Sequence, residues 1–257
     1  MSKTALITGS TSGIGLATAK AFAAKGYNIV FNGLEENGAE IAAEVAQTYN
    51  VGHIFSPANM LQPEEIRAMV QQAFDQFGTI EVLVNNAGIQ FVAPVEDFPE
   101  DKWDAIIAIN LTAAFHATKA VWPKMKEQKY GRIVNISSAH GLIASPFKSA
   151  YVAAKHGIIG FTKVLALEGG EFGITANAIC PGYVHTPIVD KQIPDQMKAH
   201  NMTREEVIEK VFLAEHAIKE FITTDTIAQT ILYLADSEAA ATITGIAMPL
   251  DAGWTAH

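Results

Sequence analysis

The stretch Thr4-Ala-Leu-Ile-Thr-Gly-Ser-Thr-Ser-Gly-Ile-Gly15 decides the fold, because an apolar strand pattern passes directly into a glycine-rich turn. The residues that follow, 14 to about 25, have the pattern of a helix that ends at Gly26. Glycines in such a turn let the backbone approach a pyrophosphate, and the N-terminus of the helix stabilises its negative charge. The spacing is G-x-x-x-G-x-G and not G-x-G-x-x-G, so its place after the first strand is what predicts a dinucleotide-binding turn.

Strand and helix patterns alternate along the rest of the chain. Further strands are predicted at residues 28–32, 53–56, 82–84, 132–136, 175–179 and 247–250. Helices are predicted at 36–49, 63–77, 99–127, 149–168 and 224–234, with Pro123 bending or dividing the helix at 99–127. This alternation implies right-handed crossovers, and therefore a single α/β domain over residues 1–257 with helices on both faces of a doubly wound parallel sheet.

A polar, helix-prone insertion at about residues 187–223 interrupts the alternation before the last helix and strand. A small helical lid over a binding site is one interpretation of this segment. The other is a passive excursion on the surface.

Composition excludes several classes of partner. The 257 residues are 49% hydrophobic and 18% charged, with a net charge of −9, which fits a soluble globular protein. Because no Lys/Arg cluster could follow a phosphate backbone and no uninterrupted apolar run could span a bilayer, we expect neither nucleic acid nor a membrane as partner. The single cysteine, Cys180, and the absence of a secretory signal before the first strand favour the cytoplasm. The eight histidines have no ligand-like spacing, so no metal site is predicted.

Tyr151 and Lys155 are four residues apart, which places them on one face of the predicted helix. A nearby ammonium favours the phenolate and lowers the tyrosine pKa from its usual value of about 10. The pair therefore fits acid/base chemistry on a substrate hydroxyl, to which Ser138 would donate a hydrogen bond. Alone, the pattern is also compatible with a surface helix that carries a tyrosine and a lysine.

The residues after the second strand bear on the choice of cofactor. They read Asn32-Gly-Leu-Glu35-Glu36-Asn, and no Lys or Arg occurs between Lys25 and Arg67. A 2′-phosphate would find no local cation there, which favours NAD over NADP. Asn32 occupies the position at the strand end where an acid usually binds the ribose. Glu35 is a candidate substitute, although both glutamates also fit as N-terminal charges of a helix.

Several motifs occur together in the order and spacing of one known family. They are T-G-x-x-x-G-I-G at 8–15, N-N-A-G at 85–88, Asn110, Ser138, Tyr151-x-x-x-Lys155 and Pro181-Gly182. In these motifs the whole chain resembles the short-chain dehydrogenase/reductase family. The resemblance implies a Rossmann-type domain that transfers hydride between a nicotinamide cofactor and an alcohol or ketone.

The resemblance also implies a role for each matching residue. Tyr151 would be the general base for alcohol oxidation and the acid for reduction, and Lys155 would lower its pKa and hold the nicotinamide ribose. Asn110 would lie in a kinked helix and hold a water of the proton relay. The implied catalytic residues are Asn110, Ser138, Tyr151 and Lys155. The implied cofactor-binding residues are Gly9, Thr11, Gly13, Ile14, Gly15, Asn59 near the adenine, Asn86, Ala87, Gly88, Tyr151, Lys155, Pro181, Gly182 and, at the carboxamide, Thr186.

Polar residues around the predicted site point to the class of substrate. Gln90, His140, Lys148 and Gln192 all follow strand ends or begin the insertion, and one cation with several uncharged donors suits a small carboxylate. Taken singly, each is also compatible with an exposed loop residue.

These surroundings most resemble the 3-hydroxybutyrate dehydrogenase branch of the family, in the stretches 85–90, 96–99, 138–141, 148–157, 177–182, 191–193 and 253–255. The resemblance implies an NAD-dependent homotetramer that interconverts (R)-3-hydroxybutyrate and acetoacetate. The implied substrate-binding residues are Gln90, Ser138, His140, Lys148, Tyr151, Tyr183 and Gln192. Tyr183 replaces a common tryptophan as the aromatic wall, and Trp254 is expected at a subunit contact.

Two other functions remain open at this stage. One is reduction of other 3-oxo acids, 3-oxoacyl thioesters or small ketones, which the missing cations after the second strand disfavour if NADPH is the donor. The other is a regulator that binds NAD without turnover, which the intact set of Asn110, Ser138, Tyr151 and Lys155 disfavours.

Overall fold

One parallel β-sheet forms the centre of the chain. A computed structural model describes residues 2–185 and 187–256, without the side chains at 187, 188, 191, 192, 195, 199 and 200. The strands are β1 Thr4–Ile7, β2 Asn28–Asn32, β3 His53–Ser56, β4 Val82–Asn85, β5 Gly131–Ile136, β6 Ile174–Pro181 and β7 Ala247–Leu250. Their order is β3-β2-β1-β4-β5-β6-β7, with every neighbouring pair parallel. The predicted doubly wound sheet is confirmed, and its order reverses between β1 and β4, where α/β folds bind ligands.

Helices cover both faces of this sheet. They are α1 Gly13–Ala24, α2 Gly38–Tyr49, α3 Pro63–Phe77, α4 Glu100–Ile107, α5 Ala113–Gln128, α6 Ser149–Gly169, α7 Pro187–His200, α8 Arg204–Val207 and α9 Thr224–Asp236. Alternate strand residues face opposite layers: Ile7 and Phe31 pack in the cluster with α1 and α9, whereas Leu6 and Val30 pack in the cluster with α3 and α5. Burial on both faces explains why the strands read as continuous apolar runs.

The long helix predicted at 99–127 is divided, but Pro123 does not divide it. A π-helical turn at Ala108–Thr112 separates α4 from α5, and α5 continues through Pro123 to Gln128. Pro123 is exposed, so the carbonyl group that loses its partner there faces water. The interruption falls at Asn110, a residue predicted to be catalytic.

The segment Glu100–Gln128 is long and apolar enough to cross a membrane by length and composition, with a mean hydropathy of 1.2. Core helices of globular proteins meet the same criterion. Here Ala117, Val121 and Met125 are fully buried against the sheet, as the apolar face of a core helix is.

The insertion after β6 is helical and has a small apolar core of its own. Val189, Ile193 and Val207 pack together with Phe212 and Leu213. The two ends of the insertion meet where Val184 bridges Ile222, with the Ile222 amide donating to the Tyr183 carbonyl at 3.0 Å. The insertion is therefore attached to the end of β6 at both of its ends.

Candidate active site

Tyr151 and Lys155 lie in the first two turns of α6, beside the end of β5. The Lys155 ammonium donates a 2.7 Å hydrogen bond to the carbonyl of Ile136, the last residue of β5. Its Nζ lies 5.5 Å from the centroid of the Tyr151 ring. Lys155 is only 4% exposed, so its charge is held by the chain in a largely water-free position.

Burial shifts the pKa of both groups. It lowers the pKa of Lys155 to about 8 and raises the pKa of Tyr151 above its ordinary value of 10, while hydrogen bonding with Ser138 partly opposes the shift on Tyr151. Burial is the largest cause of the shift on Tyr151, and the prediction that Lys155 lowers the tyrosine pKa stays a prediction. At neutral pH Tyr151 keeps its proton, which suits the acid role, while Lys155 remains mostly charged.

Ser138 follows β5 by two residues and begins the short helical turn Ala139–Gly141. Its Oγ accepts a 3.2 Å hydrogen bond from the His140 amide, which fixes the rotamer of the hydroxyl. The same hydroxyl lies close enough to the Tyr151 phenol for hydrogen bonding between them to lower the tyrosine pKa. The structure brings together the two groups that were predicted to share the substrate oxygen.

Asn110 lies in the π-helical turn between α4 and α5. Its side chain binds the backbone of Ile89 twice: Oδ1 accepts from the amide at 2.8 Å and Nδ2 donates to the carbonyl at 2.9 Å. A Cβ on Gly88 would lie 3.1 Å from Asn110 Oδ1 and 3.7 Å from Lys155 Nζ. Asn110 therefore holds the loop after β4 close to Lys155, and its role in a proton relay remains a prediction.

The glycine-rich turn brings its own backbone and the loop after β4 into close contact. Gly9 has φ +61°, and a Cβ on Gly15 would lie 2.2 Å from the Gly9 carbonyl oxygen, so only glycine fits there. Asn86 Nδ2 donates to the carbonyls of Thr8 and Gly9, each at 2.9 Å, and thereby ties the N-N-A-G loop to the turn. Gly13, Ile14 and Gly15 then form the first turn of α1.

The N-terminus of α1 fits a nicotinamide dinucleotide. Ser12 occupies the N-cap without a side-chain hydrogen bond to the helix, and the first turn of α1 contains no acidic residue. Its backbone N–H donors are left for an external anion, which the helix dipole also favours. The pyrophosphate would lie against the amides of this turn, with Asn86, Ala87 and Gly88 beside it.

Asn59, predicted near the adenine, is engaged within its own loop. Its side-chain Oδ1 accepts a 2.9 Å hydrogen bond from the Leu61 backbone amide. Its own backbone amide donates a 2.7 Å hydrogen bond to Glu65 Oε2. The acceptor of the side chain thus stabilises the turn that leads into α3.

Lys148 and His140, two predicted carboxylate ligands, lie together beside Tyr151. Lys148 Nζ is 3.4 Å from His140 Nε2, which is also 2.8 Å from Ser145 Oγ. Burial, with the nearby Lys148 charge, lowers the pKa of His140 to about 4, and burial also lowers the pKa of Lys148. A neutral histidine and a poorly solvated ammonium thus share one pocket.

The other predicted carboxylate ligands are placed less directly. Gln90 is exposed in the loop after β4, and this loop is joined to the Lys148 side by a 3.0 Å hydrogen bond from the Ala93 amide to the Phe147 carbonyl. The side chain of Gln192 and the whole of Thr186 lie outside the described residues, so their roles remain predictions.

An aromatic wall completes the pocket, and it includes Trp254. The rings of Tyr183 and Trp254 stack with centroids 5.3 Å apart and planes 7° from parallel. Trp254 also meets His140 edge to face at 5.1 Å, and His140 meets Tyr151 at 6.1 Å. Most of the Trp254 side chain is therefore buried inside the chain, while a subunit contact for it stays a prediction.

Sequence reasoning missed two further residues. Ser145 contacts His140 across a loop, and His216 accepts a 3.4 Å hydrogen bond from the Tyr183 amide while its ring lies beside Tyr183 and Trp254. A Cβ on Gly182 would lie 2.9 Å from Asp251 Cα and 3.0 Å from His216 Nε2, so the close approach of both residues favours glycine after Pro181. No repeating pattern marks either residue, because Ser145 lies in a loop five positions after His140 and His216 is 33 positions from Tyr183.

Comparison with known proteins agrees with this geometry. A sequence model of the short chain dehydrogenase family matches residues 3–197. The chain is 53% identical to D-beta-hydroxybutyrate dehydrogenase of Rhizobium meliloti over all of both chains. It is 50% identical to D-beta-hydroxybutyrate dehydrogenase of Cupriavidus necator, over 99% of this chain and 98% of the other. It is 37% identical to a 3-oxoacyl-[acyl-carrier-protein] reductase of Synechocystis, over 97% of this chain and 95% of the other. The chain belongs to the short-chain dehydrogenase family.

Proposed function

We propose that this chain is an NAD-dependent 3-hydroxybutyrate dehydrogenase that interconverts (R)-3-hydroxybutyrate and acetoacetate. The observation that carries the proposal is the pairing of Lys148 with neutral His140 directly beside Tyr151. Two relatives that match this chain over nearly its full length bear the name D-beta-hydroxybutyrate dehydrogenase.

A small carboxylate fits the pocket electrostatically. Lys148 has lost part of its hydration, and its nearest described polar partner is a neutral imidazole. A carboxylate that reaches this ammonium forms a charge-assisted hydrogen bond in a site with little competing water. The stacked rings of Tyr183 and Trp254 add apolar surface beside His140, which favours a short carbon chain.

The anchored carboxylate determines which face of the substrate reacts. With the carboxylate fixed at Lys148, only one face of C3 is directed at the cofactor when the hydroxyl lies between Ser138 and Tyr151. When bound, NAD supplies the hydride acceptor. Tyr151 takes the hydroxyl proton during oxidation and returns it during reduction, while the charge of Lys155 stabilises the phenolate.

The choice of NAD is supported by charge. Between Lys25 and Arg67 the chain has no cation that would neutralise a 2′-phosphate, and Glu35 lies against the glycine-rich turn. The α1 N-terminus offers its free amides to the pyrophosphate that both dinucleotides share.

Exposed apolar side chains, the single cysteine and the insertion after β6 bear on the assembly and location of the protein. Phe115 on α5 and Val164 and Leu167 on α6 are 43%, 49% and 86% exposed, which is unusual for large apolar side chains and favours burial between subunits of a homotetramer. The lone, buried Cys180 suits the reducing cytoplasm. The α7–α8 insertion follows β6 directly and is well placed to cover the substrate.

A direct test is NADH formation from NAD with the separate enantiomers of 3-hydroxybutyrate, repeated with NADP. We expect rapid turnover of the R enantiomer with NAD, and at least about a hundredfold slower turnover of the S enantiomer, because the anchored carboxylate directs the wrong face of C3 to the cofactor. No turnover of either enantiomer would contradict the substrate assignment.

A second candidate is a reductase of 3-oxoacyl thioesters, which the similarity to the Synechocystis reductase favours. Acetoacetyl thioesters lack the free carboxylate that Lys148 would hold. Preference for a thioester with NADPH over acetoacetate with NADH would support this second function.

A further inference from the structure

The last turn of the chain, residues 251–255, is organised by one buried carboxylate. Asp251 Oδ1 accepts a 3.0 Å hydrogen bond from the Gly253 amide. Its Oδ2 accepts from the Thr255 amide at 3.0 Å and from the Thr255 hydroxyl at 2.6 Å. Asp251 is only 5% exposed, and no ion pair among the described side chains involves it. Its charge is therefore stabilised by hydrogen-bond donors of the turn itself.

The backbone of this turn adopts a conformation that its sequence does not favour by itself. Ala252 has φ +54° and Gly253 has φ +81°, so two successive residues lie in the left-handed region. An alanine is unfavourable there because its Cβ comes too close to the following carbonyl oxygen. The hydrogen bonds to the Asp251 side chain offset this cost and hold the turn closed.

The turn places Trp254 in the aromatic wall of the pocket. Its ring stacks on Tyr183 and meets His140 edge to face at 5.1 Å. The Trp254 amide donates a 3.1 Å hydrogen bond to the Asp251 carbonyl, so its backbone is tied to the start of the turn. The position of the indole ring therefore follows from the backbone conformation that the Asp251 side chain stabilises.

The same turn is attached to the end of the insertion after β6. The amides of Ala217 and Ile218 both donate to the Ala252 carbonyl, at 2.9 and 3.0 Å. A Cβ on Gly253 would lie 2.9 Å from the Ala217 Cβ, so the close approach of the two segments requires glycine there. The turn thus holds the tryptophan and the end of the insertion in one fixed arrangement.

Trp254 links this turn to the proposed carboxylate ligands. Burial is the largest cause that lowers the pKa of His140 to about 4, and the indole ring covers one side of that histidine. The neutral imidazole in turn lies 3.4 Å from Lys148 Nζ. Both oxygens of Asp251 are engaged within the turn, so any effect of Asp251 on the substrate has to pass through Trp254.

We infer that Asp251 is a positioning residue of the carboxylate pocket, because it folds the last turn so that Trp254 packs against His140. Asp251 itself does not touch the substrate. Loss of its hydrogen bonds would release Trp254, admit water beside His140 and disturb the place where a carboxylate would reach Lys148. The inference rests on the proposed function in one respect, namely that the anion at Lys148 is the carboxylate of the substrate.

The first test is Asp251→Asn, which keeps the size of the side chain but replaces one acceptor oxygen with an amide group that cannot accept a hydrogen bond. We expect KM for (R)-3-hydroxybutyrate to rise about tenfold, with kcat and NADH binding within about threefold, because the carboxylate pocket alone is disturbed. Asp75→Asn on α3 removes an exposed carboxylate and should leave all three quantities within about twofold. An unchanged KM in Asp251→Asn would overturn the inference.

Two further variants separate positioning from a general loss of structure. Thr255→Val removes only the hydroxyl donor, leaves both backbone hydrogen bonds to Asp251, and should raise KM about threefold. In a chain that already carries Trp254→Leu, Asp251→Asn should raise KM no further, because both substitutions act through the same ring. A full tenfold rise in that background would mean that Asp251 acts by another route, and would contradict the inference.

The ionisation of His140 gives a measurement that does not depend on turnover. NMR of its ring protons, assigned by comparison with His140→Gln, follows the titration from about pH 8 to 4.5. Asp251→Asn should raise the midpoint by about one pH unit as water reaches the ring, whereas Asp75→Asn should leave it unchanged. An unchanged midpoint in Asp251→Asn would overturn the inference even if hydroxybutyrate is turned over. A raised midpoint in a chain that does not turn over hydroxybutyrate would leave the inference standing and refute the proposed function instead.

Discussion

Lys148 occupies the N-cap of α6 and Lys155 lies two turns further along the same helix, and burial lowers the pKa of both. Lys155 is fixed by the chain itself, through its 2.7 Å hydrogen bond to the Ile136 carbonyl. Lys148 has only a 3.4 Å contact to a neutral histidine among the described residues. A lysine held by a backbone carbonyl suits a permanent catalytic charge, whereas a lysine with a weak neutral partner gains most when an anion arrives.

The largest expected effect is on the fixed lysine. Lys155→Met should lower kcat by about a thousandfold, because the phenolate loses its cation in a buried site. NADH binding should weaken as well, since Lys155 is proposed to hold the nicotinamide ribose. Steady-state kinetics and fluorescence titration measure the two effects, and Lys163→Met, an exposed lysine of the same helix, is the control. An unchanged kcat in Lys155→Met would contradict the assignment of the permanent catalytic charge to Lys155.

The next prediction concerns His140, the neutral partner of Lys148. Its pKa is about 4 in the folded chain and near 6.5 in the unfolded chain, so between these values only the unfolded chain takes up the proton. The free energy of unfolding should therefore fall by about 3 kcal/mol more in the unchanged chain than in His140→Gln as the pH drops from 6.5 to 4. Denaturant unfolding at several pH values measures this difference. Parallel curves would mean that His140 is charged beside Lys148.

The smallest expected effect is at Phe147, which precedes Lys148 with φ +68°. This left-handed conformation is unfavourable for a bulky side chain, and Asn tolerates it better. Phe147→Asn should raise the free energy of unfolding by about 1 kcal/mol while leaving the position of Lys148 unchanged. Thermal unfolding measures the gain, with Tyr233→Asn on α9 as an exposed aromatic control of ordinary helical conformation. Lower stability in Phe147→Asn would show that the exposed ring makes contacts that outweigh the strain.

Short-range patterns predicted most of the fold and the face of α6 that carries Tyr151 and Lys155. The strands, the glycine-rich turn and the face shared by Tyr151 and Lys155 follow from periodicities of two and 3.6 residues, which the sequence displays directly. The π-helical turn at Asn110 was not predicted from the residues, because Pro123 is the stronger local signal for a broken helix.

The resemblance implied Tyr183 as an aromatic wall, but its contacts with Trp254 and His216 could not be predicted from local patterns. Tyr183, His216 and Trp254 meet only through the return of the chain after β6 and β7, and no local spacing records that contact. The raised pKa of Tyr151 has the same origin, since the burial that causes it comes from residues distant in sequence. Tertiary burial therefore affects the pKa of Tyr151 in a way that the motif alone does not show.

The most direct test of the contrast between the lysines compares (R)-3-hydroxybutyrate with its methyl ester, in the unchanged chain and in Lys148→Met. The unchanged chain should prefer the acid by about a hundredfold in kcat/KM, and Lys148→Met should lose nearly all of that preference through a higher KM for the acid, with NADH binding unaffected. An equal loss for acid and ester, or weakened NADH binding, would contradict the account of Lys148 as the carboxylate anchor.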